Sequence, residues 1–244
     1  MVFQASRSQK RDVILFIHGA LSDERMWQPH MRLLQDEHDT VAITLSHFDG
    51  RTVSTFGIRS HASEVCDFLR VLPRDKAVHL VGWSYGADIV LEVLGRGTDR
   101  ITSAFLYEPG IPIALQAQSY CHWLDDAERV FRNVRELSEK GNLKQATEAL
   151  IDGTAMQAGY FQSQAPWLRN YWLSKSHTIP FQVARGQSSE LTPSVLETIN
   201  RHVSLVYGTS SREMFRLATV SLHEKITGSE LGVVHGAGHM FPVA

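Results

Sequence analysis

Six short runs of β-branched and apolar residues punctuate the chain, at Val13 to Ile17, Val41 to Leu45, Ala77 to Gly82, Ile101 to Tyr107, Val203 to Tyr207 and Leu231 to Val234. Helical patterns fall between the first four, at Met26 to Gln35, Gly57 to Leu72 and Ala87 to Leu94. Runs of this length without polar alternation read as strands buried on both faces. A parallel connection must cross over the sheet, and a helix is its usual crossover. The alternation therefore predicts an α/β protein: a mostly parallel central sheet with helices on both faces.

The rhythm breaks after Pro109. From about Ile111 to His177 the chain reads as helical and aromatic with no evident strand, so residues 111–177 are expected to form an inserted helical cap on a core made of 1–110 and 178–244. At 244 residues this fits one large domain carrying an insertion. The segment holds Trp123, Trp167 and Trp172 with Tyr160, Phe161 and Tyr171. Aromatics at helical spacing mostly form core, so none is assigned to a pocket on sequence grounds.

Composition excludes several classes. With 43% hydrophobic and 20% charged residues the chain has the make-up of a soluble globular protein. A net charge of -2, with Lys and Arg scattered, gives no footprint for nucleic acid. The apolar runs fall far short of the roughly 20 residues of a membrane span, and MVFQASRSQKRD lacks the apolar stretch of a signal peptide, so a cytoplasmic location is expected. Cys66 and Cys121 show no paired spacing and read as reduced thiols.

The segment AVHLVGWSYGADIVLEVL carries G-x-S-x-G at Gly82, Trp83, Ser84, Tyr85 and Gly86. The bare pattern arises by chance in about one chain of this length in ten, but here it lies between a strand and a helix. A sharp strand-to-helix turn holds such a serine in a strained conformation and projects its Oγ. The helix N-terminus then favours negative charge nearby, which makes the Tyr85 N–H a candidate oxyanion donor. The first strand runs into His18, Gly19, Ala20 and Leu21, and a glycine-rich loop after the last strand, VVHGAGHMFP, holds His239. His235 and His239 share a four-residue spacing, but Gly236 and Gly238 argue against a metal-binding helix, and neither metal nor cofactor is expected.

Taken together, strand, His-Gly, loop, strand, G-x-S-x-G, helix and a terminal histidine loop resemble the α/β-hydrolase fold family with a cap, over nearly the whole chain. The resemblance implies Ser84 as nucleophile, His239 as general base, and Ala20 as the second oxyanion donor, with Leu21 as fallback; His18 and His235 are expected to be structural. It also implies an aspartate beyond the penultimate strand, where this sequence has Thr209, Ser210 and Ser211. Glu108, at the end of the strand after the one bearing Ser84, is the first substitute, since some family members carry their acid there. Glu213 is the second, provided the loop turns it inward. The remaining option is no acid at all, with Ser210 or Ser211 orienting the base. Relatives usually add a helix after the histidine loop, whereas this sequence stops at Ala244, which leaves either a longer chain or a less covered face of the sheet.

The expected activity is hydrolysis of a carboxylic ester or related carbonyl substrate, a small molecule with a hydrophobic group. The alternatives are a ligand-binding protein that has lost turnover, which predicts that neither Glu108 nor Glu213 reaches His239, and a lyase on the same fold. The sequence leaves the oligomeric state open.

Overall fold

The computed structural model describes residues 2–5, 12–52, 55–184 and 189–243. Its centre is a seven-stranded sheet made of β1 (Val2–Ala5), β2 (Asp12–Ile17), β3 (Asp39–Thr44), β4 (Ala77–Trp83), β5 (Ile101–Tyr107), β6 (His202–Gly208) and β7 (Glu230–Val234), in the order β1-β3-β2-β4-β5-β6-β7. All neighbours pair in parallel except β1, which lies antiparallel on β3 with Val2 opposite Thr44 and Ala5 opposite Val41. The six expected strands are thus present. The edge strand β1 was not read from the sequence, because VFQA is too short to show a period.

Burial on both faces follows from strand geometry. Val13, Leu15 and Ile17 of β2 enter one apolar cluster, while Ile14 and Phe16 face the other. The first cluster lies under α2 (Ile58–Val71) and α3 (Tyr85–Gly95). In α2 the residues Ile58, Ala62, Val65 and Leu69 recur at helical spacing and are buried, the three larger side chains contributing about 1.5–3 kcal/mol each. The second cluster takes Trp27 and Met31 from a 3-10 turn (Glu24–Trp27) and α1 (Gln28–Leu34). The expected helix at Met26 to Gln35 thus starts earlier and begins as a tighter turn.

Beyond β5 the chain is helical: α4 (Ala117–Glu139), α5 (Leu143–Ala155), α6 (Tyr160–Ser163), α7 (Pro166–Leu173), a 3-10 turn (Ser176–Thr178), α8 (Ile179–Gln182) and α9 (Pro193–Glu197), before β6 and α10 (Glu213–Lys225). Two buried ion pairs tie these helices to the sheet loops. Asp126 of α4 accepts from the Arg212 guanidinium and from the Met214 N–H at 3.1 Å. Lys175 pairs with Asp23 at 2.7 Å and donates to the Phe48 carbonyl at 2.7 Å. At the other edge, Leu231 and Val233 of β7 are exposed. Cys66 and Cys121 are free. Among the described residues no helix is long and apolar enough to cross a membrane.

Candidate active site

The parallel strands end on one side of the sheet, where open α/β folds bind ligands. Ser84 stands there between β4 and α3 with φ 54° and ψ -123°, outside the comfortable regions for an L-residue, a strain of about 1–3 kcal/mol. The surrounding backbone holds it. The Ser84 N–H donates to the Tyr107 carbonyl at 2.9 Å, and the Ser84 carbonyl accepts from Ala87 and Asp88 N–H groups at 2.8 and 3.1 Å. Both glycines of the motif are sterically required. A Cβ on Gly86 would lie 2.3 Å from the Ile17 carbonyl oxygen, and one on Gly82 would lie 2.7 Å from the Ala87 Cα. The helix therefore packs directly on the ends of β2 and β4.

His239 Nε2 accepts from the Ser84 hydroxyl at 3.1 Å, and His239 Nδ1 donates to Glu108 Oε2 at 2.6 Å. Glu108 is wholly buried and has φ 51° at the end of β5. Its other oxygen, Oε1, accepts from the Gly208 N–H at 2.8 Å and from the Ser211 hydroxyl. Both carboxylate oxygens are thus occupied, and the imidazole is fixed in the tautomer that leaves Nε2 able to take a proton.

Three further contacts that no motif announces hold the histidine loop. Phe215 stacks on the imidazole with ring centres 3.7 Å apart and planes at 3°. Trp83 Nε1 donates to the His239 carbonyl at 3.0 Å, and the Tyr107 hydroxyl donates to the Gly238 carbonyl at 2.9 Å.

Glu213 goes elsewhere. It begins α10, is exposed, and pairs with Arg216 at 3.4 Å, because the turn at Ser211 and Arg212 starts the helix before the chain can bend inward. Ser210 and Ser211 do not orient the histidine: the Ser210 N–H donates to the Ala237 carbonyl, and Ser211 bonds to Glu108. The separation required by a binding-only protein, with no carboxylate near His239, is not found.

Ala20, Leu21 and Tyr85 line the cavity beside Ser84. Leu21 has φ 51°, which turns the loop sharply after Gly19, and a Cβ on Gly19 would meet the Trp83 ring at 2.8 Å. The N–H of Tyr85, in the first turn of α3, has no intrahelical acceptor. Its side chain is anchored away from Ser84, donating to His61 Nδ1 at 2.7 Å and stacking on Phe56. His18 is buried beneath the loop, its Nδ1–H donating to the Gly19 carbonyl and its Nε2 accepting from the Leu45 N–H. Burial lowers its pKa to about 4, so it is a neutral strut. His235 lies in an exposed turn. Among the described residues no group of three or more metal-ligating side chains converges.

The cavity over Ser84 measures about 590 Å³, within the range of small-molecule sites. Ile111, Trp123, Phe131, Leu150, Ile151 and Met214 supply much of its wall. Of the six aromatics singled out in the sequence only Trp123 lines it. Phe161 and Trp172 are core, Tyr171 bonds to Ser22 and Asp23, and Trp167 is exposed.

A serine held on a strained strand-to-helix turn, bonded to a histidine that is itself bonded to a buried carboxylate, defines the α/β-hydrolase class, and residues 14–244 match the model of the alpha/beta hydrolase family. The chain belongs to that family. Among solved structures it is similar to MenH from S. aureus, with 19% identity over 99% of this chain and 92% of that one at a TM-score of 0.76. It also resembles the hydrolase olei00960 from Oleispira antarctica, with 17% identity over 99% and 88% at 0.77, and the carboxylesterase CesB (YbfK) from Bacillus subtilis, with 17% over 99% and 81% at 0.72. No curated protein sequence matches. At these identities the structural likeness shows the fold.

Proposed function

We propose that this protein is a serine hydrolase that cleaves a carboxylic ester or related carbonyl substrate through an acyl-enzyme on Ser84. The observation that carries the reading is the continuous relay from Ser84 through His239 to the buried Glu108, at 3.1 and 2.6 Å, opening into an apolar cavity.

In this mechanism Ser84 Oγ attacks the carbonyl carbon while His239 Nε2 takes the hydroxyl proton. Glu108 stabilises the imidazolium without itself being protonated. The oxyanion is held by the Ala20 and Tyr85 N–H groups, an interaction present only once charge develops. Collapse of the tetrahedral intermediate breaks the bond to the leaving oxygen, which receives the proton from His239. Water, deprotonated by the same histidine, then releases the acid and restores Ser84. Every group needed is supplied by the chain, so the mechanism uses no cofactor. We assign residues 111–177 to a lid over the site, supported by the cavity lining from α4 and α5. The apolar wall favours a small molecule with a hydrophobic group.

Labelling with a fluorophosphonate, alongside hydrolysis of short and medium p-nitrophenyl esters, tests the assignment. Labelling and turnover are expected in the native protein and neither in Ser84→Ala; labelling that survives Ser84→Ala overturns it.

A further inference from the structure

One buried ionisable group at the site has no part in that mechanism. Asp88 lies in the first turn of α3, and its N–H donates to the Ser84 carbonyl at 3.1 Å. It lines the cavity and is only 8% exposed. Oδ1 accepts from the Gly110 and Ile111 N–H groups at 2.8 and 3.1 Å. Oδ2 has no hydrogen bond among the described residues and is the oxygen left for a ligand. Asp88 is also the only carboxylate among the described cavity-lining residues.

Its surroundings are aromatic. Trp123 Nε1 donates to the Gly110 carbonyl at 3.2 Å, which places the indole beside the turn that Asp88 holds. Tyr120 stacks on Trp123 with ring centres 5.8 Å apart, and both line the cavity. A Cβ placed on Gly110 would lie 3.6 Å from Asp88 Oδ2 and 3.7 Å from Phe215 Cε1, and Phe215 lines the same cavity. A carboxylate oxygen without a hydrogen-bond partner, in a cavity also lined by Tyr120 and Trp123, suits an ammonium group, which gains both a counter-charge and cation–π attraction where water is scarce.

We infer that Asp88 and the Trp123–Tyr120 pair form an ammonium subsite, and that the ester substrates carry a cationic group that reaches the part of the cavity lined by Asp88. This deepens the hydrolase reading and rests on it. Burial raises the Asp88 carboxyl to about 7, the two backbone N–H bonds opposing, so preference for a cation strengthens as pH rises through neutrality. The other titratable groups lining the cavity are His239, Tyr85 and Tyr120, and burial holds the Tyr85 phenol neutral there.

The test compares p-nitrophenyl esters whose four-methylene acyl chain ends in trimethylammonium or in its neutral isostere, tert-butyl, together with a second pair bearing the two groups on the alcohol. The ratio of kcat/KM within each pair is read, because a general loss of activity leaves it unmoved. In at least one pair the native protein is expected to favour the cation tenfold or more, and Asp88→Asn, which keeps an oxygen for both backbone amides, to lose that preference. Trp123→Leu, which removes a π face and keeps the carboxylate, is expected to lower it in part. A native ratio near one in both pairs, or a preference unchanged by Asp88→Asn, overturns the subsite. Calorimetry with hexyltrimethylammonium keeps the two readings separable: its affinity is expected to fall tenfold in Asp88→Asn whether or not any ester is cleaved. Equal affinity refutes the subsite, whereas absent turnover with intact ammonium binding refutes only the hydrolase reading.

Discussion

Replacing Glu108 with glutamine removes one charge and almost no volume, and the two oxygens that it replaces have different obligations. Oε1 accepts from the Gly208 N–H and the Ser211 hydroxyl, and Oε2 accepts from His239 Nδ1. If the amide oxygen keeps the first pair, the amide NH2 faces His239 Nδ1, which must then become an acceptor. The proton moves to Nε2, and the imidazole can no longer receive one from Ser84. If the amide is turned over, its NH2 meets the Gly208 N–H in a wholly buried site and leaves donors unsatisfied, at about 1–3 kcal/mol. The first arrangement therefore prevails. The equivalent loss of tautomer in a serine-histidine-aspartate system lowers kcat by about ten-thousand-fold, so Glu108→Gln is expected to lower kcat a thousand- to ten-thousand-fold, about 4–5.5 kcal/mol of barrier. KM should move little, because the carboxylate lies behind the histidine. Initial rates of p-nitrophenyl ester hydrolysis measure this, with a thermal melt to confirm folding and Glu213→Gln as the control. More than a tenth of native kcat in folded Glu108→Gln, or a comparable loss in Glu213→Gln, refutes the assignment of the acid.

Three other changes probe the frame. Gly86→Ala puts a methyl group 2.3 Å from the Ile17 carbonyl oxygen, so a loss of about 2 kcal/mol or more and a lower midpoint in urea are expected; an unchanged midpoint contradicts the close approach. Lys175→Met breaks the buried pair with Asp23, whose carboxyl is pushed up by burial and held well below its usual range by bonds from Arg25 and Lys175. With Arg25 remaining, a loss of about 2–4 kcal/mol is expected in chemical denaturation, accompanied by a fall in kcat as the loop after Leu21 loosens. Asp88 titrates at 3.8 in its ordinary state and at about 7 when folded, so the folded chain holds the extra proton between these values and stability falls as pH rises through them. Asp88→Asn removes this slope; its stability relative to the native protein should improve from about pH 5 to about pH 8, and a constant difference in urea midpoints sinks the argument.

Much of this was legible in the sequence, and what was not has physical reasons. The strands and the G-x-S-x-G turn announced themselves because burial on both faces and a strained serine each demand specific residues in a short window. Ser84, Tyr85, Ala20 and His239 sit at one site because each lies at or just past a strand end on the same side of the sheet. Phe215, Trp83 Nε1 and Ser211 act through contacts across chain separations that no window spans. Asp88 escaped notice for another reason: it belongs to no motif within the helical pattern Ala87 to Leu94, and only its burial against Gly110 gives it meaning. The edge strand β1 and the fate of each aromatic depended on partners far along the chain.

The displaced acid follows from the register of two neighbouring strands. β5 and β6 run parallel with Tyr107 opposite Val206, and the Glu108 N–H donates to the Val206 carbonyl at 2.9 Å, so Glu108 leaves the sheet beside the loop where the family pattern expects an aspartate. Its positive φ turns the side chain towards that loop, which receives it: the Gly208 N–H and the hydroxyl of Ser211, one of the three residues at the expected position, become donors to Oε1. Space is made by the same glycine, since a Cβ on Gly208 would lie 2.2 Å from the Ala237 carbonyl oxygen, in the turn that carries His239. Thr209 accepts from the Gly236 N–H at 2.9 Å and pins that turn. The loop that lacks an acidic residue thus keeps two tasks, holding a carboxylate borrowed from the adjacent strand and holding the histidine that bonds to it.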